Sequence, residues 1–366
     1  MGQKILYIYE GKLTRHGIDA VVREQLHALV GRGFQVDLVS RGNPGLEGVA
    51  FRGMRWTPAN ALSWLPRSFY YPAQKRVFRA LGAFFARRGG YAKIISWRDR
   101  ALGAFRAAEE QGTGCYLNYD TNHWSRWAAS TTDPRWPGFS RAEMDEEYRR
   151  STAILLPSET SHDSFAGFVT PEEKLRIIGR GADTDRFKPS PKRAQRPFRL
   201  VFCGRVGERK GIRQVVEAWK RAGLADAELL VIGQIDRDVA DLVEANSGAN
   251  IKWMGFQSEL PPILATCHAQ ILLSRNEGMA KSLLEGAACE LATIATLDCG
   301  FPLNHGDNGF LVKREDTEDV AMRMRELRDN AALCLAMGQR GRATIVDHYS
   351  WAAFRKHFLQ AIDLDP

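Results

Sequence analysis

The stretch from Asn276 to Glu290 reads N-E-G-M-A-K-S-L-L-E-G-A-A-C-E. Just before it, the apolar run Ile271-Leu272-Leu273 reads as a buried strand, and Ser282 to Cys289 read as a helix of small residues. A strand feeding a glycine turn and then a helix presents unpaired backbone N–H groups, which favour an anionic ligand. Glu277 falls in the turn, and Glu285 lies about two helical turns on, roughly 12 Å along the axis. Two carboxylates so far apart do not share one atom as acid and base. They suit a ligand held by a different group at each end. The alternative is a helix-start glutamate favoured by the dipole and a second on the solvated face.

Outward from this stretch the same alternation recurs. Arg199–Cys203 reads as a strand, Gly204-Arg205-Val206-Gly207-Glu208-Arg209-Lys210-Gly211 as a glycine-bounded cationic loop, and Ile212–Arg221 as a helix. Further strands are expected at Glu228–Ile232, Ile251–Met254, Ala292–Thr296 and Gly309–Val312, with three helical segments finishing the chain. The first half opens with a strand at Lys4–Tyr9, a polar loop from Glu10 to Gly17 and a helix carrying Val21, Val22, Leu26, Leu29 and Val30 on one face. Phe34–Val39 then closes a strand-helix-strand unit, which implies a parallel sheet. Ligands of such sheets bind at the carboxyl ends of strands, so the Glu10–Gly17 loop faces the site. Gly11 and Gly17 do not match the dinucleotide pattern G-x-G-x-x-G. Later strands at Tyr91–Ser96, Gly114–Asn118 and Ala153–Leu156 follow, the second ending in the loop Tyr119-Asp120-Thr121-Asn122-His123-Trp124.

The segment Lys188–Pro197, rich in proline and basic residues with almost nothing to bury, reads as the linker. The expected organisation is therefore 1–190, 191–348 and a terminal 349–366 helix crossing back to the first domain. The architecture is α/β: two doubly wound parallel-sheet domains facing across a cleft.

At 366 residues, with 44% hydrophobic and 26% charged content, the composition is that of a soluble two-domain protein. No apolar run approaches the roughly 20 residues that cross a bilayer, and the apolar start is too short for a signal peptide. The six cysteines are scattered without a Cys-x-x-Cys pair, as buried thiols in a reducing cytoplasm are. The net charge of +8 is uneven: between Phe51 and Arg106 about a dozen Lys and Arg, interleaved with about a dozen aromatics, meet the single acid Asp99. Such a patch suits nucleic acid, an anionic membrane surface or an anionic substrate. Within it, a helix from Pro72 to Arg88 places Val77, Leu81, Phe84 and Phe85 on one face, as core or as interfacial contact.

Taken in order, the loop Gly204-Arg205 to Lys210-Gly211, the pair Glu277/Glu285, the segment Asp183-Thr184-Asp185-Arg186-Phe187-Lys188-Pro189, the motif Asp307-Asn308-Gly309-Phe310-Leu311-Val312 and the late Tyr349-Ser350-Trp351 resemble the retaining glycosyltransferases of family 4, which have the GT-B fold. The resemblance is specific in the second half and weaker in the first, where it rests on Gly17 and the strand-helix order. It implies transfer of a sugar from a nucleotide-sugar to an acceptor hydroxyl, with a UDP-sugar expected ahead of a GDP-sugar and no prosthetic group. Arg205 and Lys210 would stabilise the leaving diphosphate, so that no metal is required. Glu277 would contact hydroxyls of the donor sugar, Gly278, Met279 and Ala280 would offer backbone N–H groups, and Glu285 would bind the ribose. Gly204 and Gly17 would admit the donor, and Lys281 lies where a phosphate contact and a solvated face are equally compatible.

The chain also departs from the family. A histidine often ends the relevant first-domain strand; here Asp120 stands near that point and His123 three residues on, and either one fills the place, unless His123 merely stacks between Trp124 and Trp127. The common C-G-x-P-V becomes Cys289-Glu290-Leu291-Ala292-Thr293, and the next glycine loop becomes Asp298-Cys299-Gly300-Phe301-Pro302. Expected partners are a nucleotide-sugar, a saccharide or lipid-linked acceptor and an anionic membrane surface, without nucleic acid. The expected location is cytoplasmic, peripheral on the inner face of the cell membrane, in envelope polysaccharide or glycolipid synthesis. Competing readings are a sugar epimerase or phosphorylase of the same fold, a basic nucleic-acid-binding protein and a degenerate, inactive transferase.

Overall fold

The computed structural model describes residues 3–14, 17–54, 67–126, 140–190, 197–246, 248 and 250–365. Arg15 and His16, residues 55–66 of the basic stretch, Trp127 and residues 191–196 of the expected linker lie outside them. The chain divides into two compact units, Met1–Gly179 with Arg355–Pro366, and Arg180–Phe354.

In the first unit, β1 (Lys4–Ile8), β2 (Gln35–Val39), β3 (Val49–Phe51), β4 (Tyr91–Trp97), β5 (Gly114–Asn118), β6 (Ala153–Leu156) and β7 (Leu175–Ile177) form one sheet in the order β3-β2-β1-β4-β5-β6-β7. In the second, β8 (Phe198–Cys203), β9 (Ala227–Ile232), β10 (Ile251–Gly255), β11 (Ala269–Leu272), β12 (Ala292–Ala295) and β13 (Gly309–Leu311) follow the order β10-β9-β8-β11-β12-β13. Every pairing is parallel. Parallel strands covered on both faces read as continuous apolar runs, and β6 and β11 are buried at every position. In each sheet the strand order reverses once, between β1 and β4 and between β8 and β11. The crevice outside the carboxyl ends at such a reversal is where open α/β sheets bind ligands. Both sequence motifs sit there: Gly204–Gly211 follows β8 and Glu277 follows β11.

The division between units comes ahead of the proline-rich segment. Ala182 and Phe187 are buried in the second core, so Arg180–Ser190 belongs there. The Asp183 carboxylate accepts from Arg186 N–H at 2.9 Å, the role of a turn cap. Gly181 packs flat on Trp351: a Cβ on it would stand 2.1 Å from the indole. This is why the Asp183 and Tyr349-Ser350-Trp351 motifs occur together. Ala182 N–H bonds Tyr349 C=O at 2.8 Å and Trp351 N–H bonds Ala182 C=O at 3.2 Å.

The basic helix runs over Arg67–Arg88, and Leu81 and Phe85 of the expected face pack against the first core. Phe78, Gln74, Lys75 and Ala86 are buried, whereas Phe84 is 48% exposed with Arg88 stacked on its ring at 4.4 Å. Lys75 points inward because acids wait for it there. Among the described residues no helix is long and apolar enough to cross a membrane.

Candidate functional site

At the reversal point of the second sheet, the loop after β8 tightens into a single turn, Glu208–Lys210, ended by Gly211 with a left-handed backbone (φ 80°). Only glycine fits, since a Cβ would lie 2.2 Å from the Leu273 carbonyl oxygen. This contact fixes the cationic loop against the end of β11. Lys210 Nζ then stands 2.7 Å from Glu277 Oε1, with both side chains largely buried. Arg209 donates to the same oxygen and to the Asn276 carbonyl, and Ser274 Oγ donates to it at 2.9 Å. All three donors converge on Oε1, so Oε2 takes no hydrogen bond among the described residues. Burial pushes the Glu277 carboxyl up, but Lys210 and Arg209 outweigh it and hold the group below its ordinary value. Glu277 is therefore an anion at neutral pH, ready to accept from hydroxyls.

Arg205 does not join this cluster. Its Nε donates to both oxygens of Asp236, at 2.6 and 2.8 Å, and half of its side chain is exposed. Its two terminal nitrogens make no hydrogen bond among the described residues. Sequence reading paired Lys210 with Arg205; the structure pairs it with Arg209. The adjacent Arg209-Lys210 in the loop was the available signal.

Helix Lys281–Ala288 follows, with no side-chain cap. The expected N–H donors of the Gly278-Met279-Ala280 turn are reduced by one, because Ala280 N–H bonds the Cys299 carbonyl at 2.9 Å. Met279 N–H has no partner among the described residues. Glu285 is 8% exposed and pairs with Lys281, one turn away on the same helix. Lys281 is thus neither a solvated lysine nor an isolated cation. At the end of β8, burial pushes the Cys203 thiol up to about 12, with the Glu285 charge adding to it.

In the first unit Gly17 opens helix Gly17–Gly31 with a left-handed backbone (φ 59°), which favours glycine whatever the space around it. The two candidates after β5 separate. Asp120 lines a cavity with Glu10 and Gly11 and accepts from Arg98 Nε at 2.7 Å. His123 is fully buried in an aromatic box, stacked on Phe168 at 4.1 Å, tilted against Trp124 and edge-on to Phe165. Its Nδ1 lies 2.8 Å from Ser125 Oγ, its Nε2 is unpaired among the described residues, and burial lowers its pKa to about 4.

Among the described residues, part of the basic aromatic stretch is neutralised by acids packed against it. Lys75 pairs with Asp99 and Glu143, Arg79 with Glu143, Arg98 with Asp120 and Arg100 with Glu10. Glu10, Asp120 and Glu143 come from outside the stretch, so part of the excess visible in sequence is compensated in space. Arg76, Arg87 and Arg88 are the arginines of helix Arg67–Arg88 whose side chains stand exposed among the described residues.

Comparison with known proteins places this geometry. Residues 197–330 match the family model described as glycosyl transferases group 1, and residues 15–186 that of glycosyltransferase family 4. The chain is similar to EpsD of Bacillus subtilis (strain 168), a protein named as a glycosyltransferase, with 29% identity over 187 residues, 46% of this chain and 49% of that protein. It is similar to the lipopolysaccharide core biosynthesis glycosyltransferase LpsE of Rhizobium meliloti (strain 1021), with 26% identity covering 46% of this chain and 50% of that one. The chain thus spans about half the length of the curated relatives it matches. Among solved structures, HepE of Anabaena in complex with UDP and glucose superposes with a TM-score of 0.72 over 99% of both chains at 15% identity, a likeness of fold. With two parallel-sheet α/β domains of the GT-B type and both family models matched in order, the chain belongs to the group 1, family 4 glycosyltransferases.

Proposed function

We propose that the protein is a metal-independent, retaining glycosyltransferase that moves a sugar from a nucleoside-diphosphate sugar, UDP ahead of GDP, to an acceptor hydroxyl in envelope polysaccharide or glycolipid synthesis. The observation that carries this reading is the convergence of Lys210, Arg209 and Ser274 on one oxygen of Glu277 at the reversal point of the second sheet. The cations would meet the diphosphate as it leaves, and the open Oε2 of Glu277 would accept from a donor-sugar hydroxyl. Arg205, held by its Nε on Asp236, turns its terminal nitrogens to a phosphate oxygen. Glu285 would exchange Lys281 for the ribose hydroxyls.

In the step itself the bond from the anomeric carbon to the phosphate oxygen breaks, and its electron pair goes to the diphosphate. The acceptor oxygen bonds to the same face of that carbon, and its proton passes to the departing phosphate. No strong base is needed, and stabilising the developing charge supplies most of the rate. The reading keeps Asp120 near the acceptor and leaves His123, buried among rings, out of the chemistry. The name of LpsE supports an envelope role, and the UDP seen with HepE supports the donor class.

Titration with UDP and GDP, with and without magnesium and then with chelator, tests the reading. Binding that survives chelation is expected; if no nucleoside diphosphate binds, the transferase assignment is lost. Lys210→Ala is expected to lower turnover roughly 10²-fold or more, on the scale of one lost oxyanion donor. An unchanged rate would remove Lys210 from the leaving-group site.

A further inference from the structure

The Glu208–Lys210 turn, which carries two cations of the donor site, is gripped from within the fold by a third. Arg314 follows β13 and is 4% exposed. Its Nη2 donates to the Glu208 carbonyl at 2.8 Å, and its Nε and Nη2 donate to Gln214 Oε1 at 3.2 and 2.9 Å. We propose that Arg314 is a positioning residue for the diphosphate: it sets the turn that presents Arg209 and Lys210, and adds a poorly compensated positive charge beside them. That the ligand is a diphosphate rests on the transferase reading; the grip on the turn does not.

Within the turn, Lys210 N–H bonds the Gly207 carbonyl at 3.0 Å and Gly211 N–H bonds the Glu208 carbonyl at 3.1 Å. Arg314 adds a charge-assisted bond to that same Glu208 carbonyl, and Arg275 N–H takes the next one, of Arg209, at 3.0 Å. With both carbonyls held by the frame, the Arg209 and Lys210 side chains are left to reach Glu277. Gln214 lies in the first turn of helix Ile212–Ala222, so one guanidinium ties the turn to the helix it opens. A planar fork suits two acceptors at once; an ammonium is a single point on a flexible stem.

Arg314 is also short of counter-charge. Buried cations are ordinarily paired. Among the described residues the carboxylate within 4 Å is that of Glu208, with Oε2 at 3.9 Å, and its Oε1 is already taken by Arg213. Arg314 Nη1 is buried with no hydrogen-bond partner among the described residues. Burial and the Arg275 charge pull the Arg314 pKa below its ordinary value, against the pull of Glu315 and Glu208. A guanidinium nevertheless keeps its proton. The free protein therefore holds a cation at a cost, beside a turn whose side chains suit an anion. A diphosphate on Arg209 and Lys210 supplies the missing negative charge, in a setting where charges act more strongly than in water.

Calorimetric titration of the full chain with UDP and GDP, each against its monophosphate at low ionic strength, tests the proposal alongside urea unfolding. Arg314→Met removes charge and fork together and is expected to weaken the diphosphate about tenfold and the monophosphate only a few-fold. Its unfolding midpoint should stay or rise, because a poorly paired buried charge has been exchanged for an apolar chain of similar length. Arg314→Lys restores the charge without the fork, so it should recover the preference for diphosphate over monophosphate while binding a few-fold more weakly than wild type. Wild-type affinity in Arg314→Met would overturn the proposal, as would an equal loss for both nucleotides with a lowered midpoint, the mark of a merely structural residue. A lysine variant no tighter than the methionine one would overturn it too. Should Arg314→Met not fold, the lysine variant decides: wild-type affinity, or a lost diphosphate preference, refutes the role. If the wild-type chain binds no nucleoside diphosphate, the transferase reading itself falls; if it binds and the variants match it, Arg314 alone does.

Discussion

Glu290 follows helix Lys281–Ala288 with a left-handed backbone (φ 59°), at the position where family 4 chains commonly carry glycine. Leu291 N–H closes on the Gly286 carbonyl at 3.1 Å and Glu290 N–H on Ala287 at 2.9 Å, the bonding of a glycine-type helix end. The departure in sequence did not change the turn; it placed strain in it. Glu290→Gly is therefore expected to raise stability by roughly 0.5–1 kcal/mol, read from urea unfolding. A fall would mean the side chain's contacts outweigh its backbone cost. His123 gives a residue-scale pH effect. In the unfolded chain its imidazole titrates near 6.5, and in the fold at about 4, because burial disfavours the charged form. As pH falls between these values the unfolded chain takes up a proton that the folded chain refuses. Stability is held above pH 6.5 and lost toward pH 4, by at most roughly 3 kcal/mol. His123→Phe should flatten that slope in unfolding curves between pH 4 and 7, and an unchanged slope would show that His123 is not its source.

At the scale of elements, the donor site depends on how one loop meets the end of one strand. Gly211 lets the Glu208–Lys210 turn lie against Leu273, and Gly211→Ala would set a Cβ 2.2 Å from a carbonyl oxygen in a left-handed position. It is expected to cost at least about 2 kcal/mol and to weaken UDP binding along with it, because Lys210 is the preceding residue. Normal stability by urea melt with normal UDP affinity would refute this coupling. The strands and the turn were legible because their patterns are local: apolar runs of four to six residues, glycine at both ends of a cationic loop, two glutamates at helical spacing. The roles within the loop were not. Arg205 and Arg209 are both arginines near a glycine, and only Asp236, 31 residues from Arg205, and Glu277, 68 residues from Arg209, tell them apart. The Arg67–Arg88 helix was legible as a helix, and so were Leu81 and Phe85 of its inner face, but Lys75 looks polar until Asp99 and Glu143 are placed beside it.

For the molecule as a whole, paired groups cancel, so the formal charge of +8 is an excess of cations, part of which stands exposed among the described residues. The exposed part includes Arg76, Arg87 and Arg88, next to Phe84 on the same helix. We therefore expect weak, salt-sensitive association with anionic vesicles in flotation at low ionic strength, reduced by Phe84→Ser and lost at high salt. No flotation at low salt would dismiss a peripheral membrane location. The division of the chain shows the same lesson. The proline-rich segment marks where the polypeptide has little to bury, but the second unit starts earlier because Phe187 finds a core and Gly181 a tryptophan far along the chain.

By itself the sequence determined two parallel-sheet α/β units, the place of the cationic loop and the two glutamates, and the family to which they belong, because strand hydropathy, glycine turns and helical spacing are written in neighbouring residues. Tertiary structure alone decided which cation touches Glu277, which of Asp120 and His123 faces a cavity, and that Lys75, Arg79, Arg98 and Arg100 of the basic stretch are paired with acids. Those are questions of distance between residues far apart in the chain, and charge pairing and burial exist only once the chain has folded.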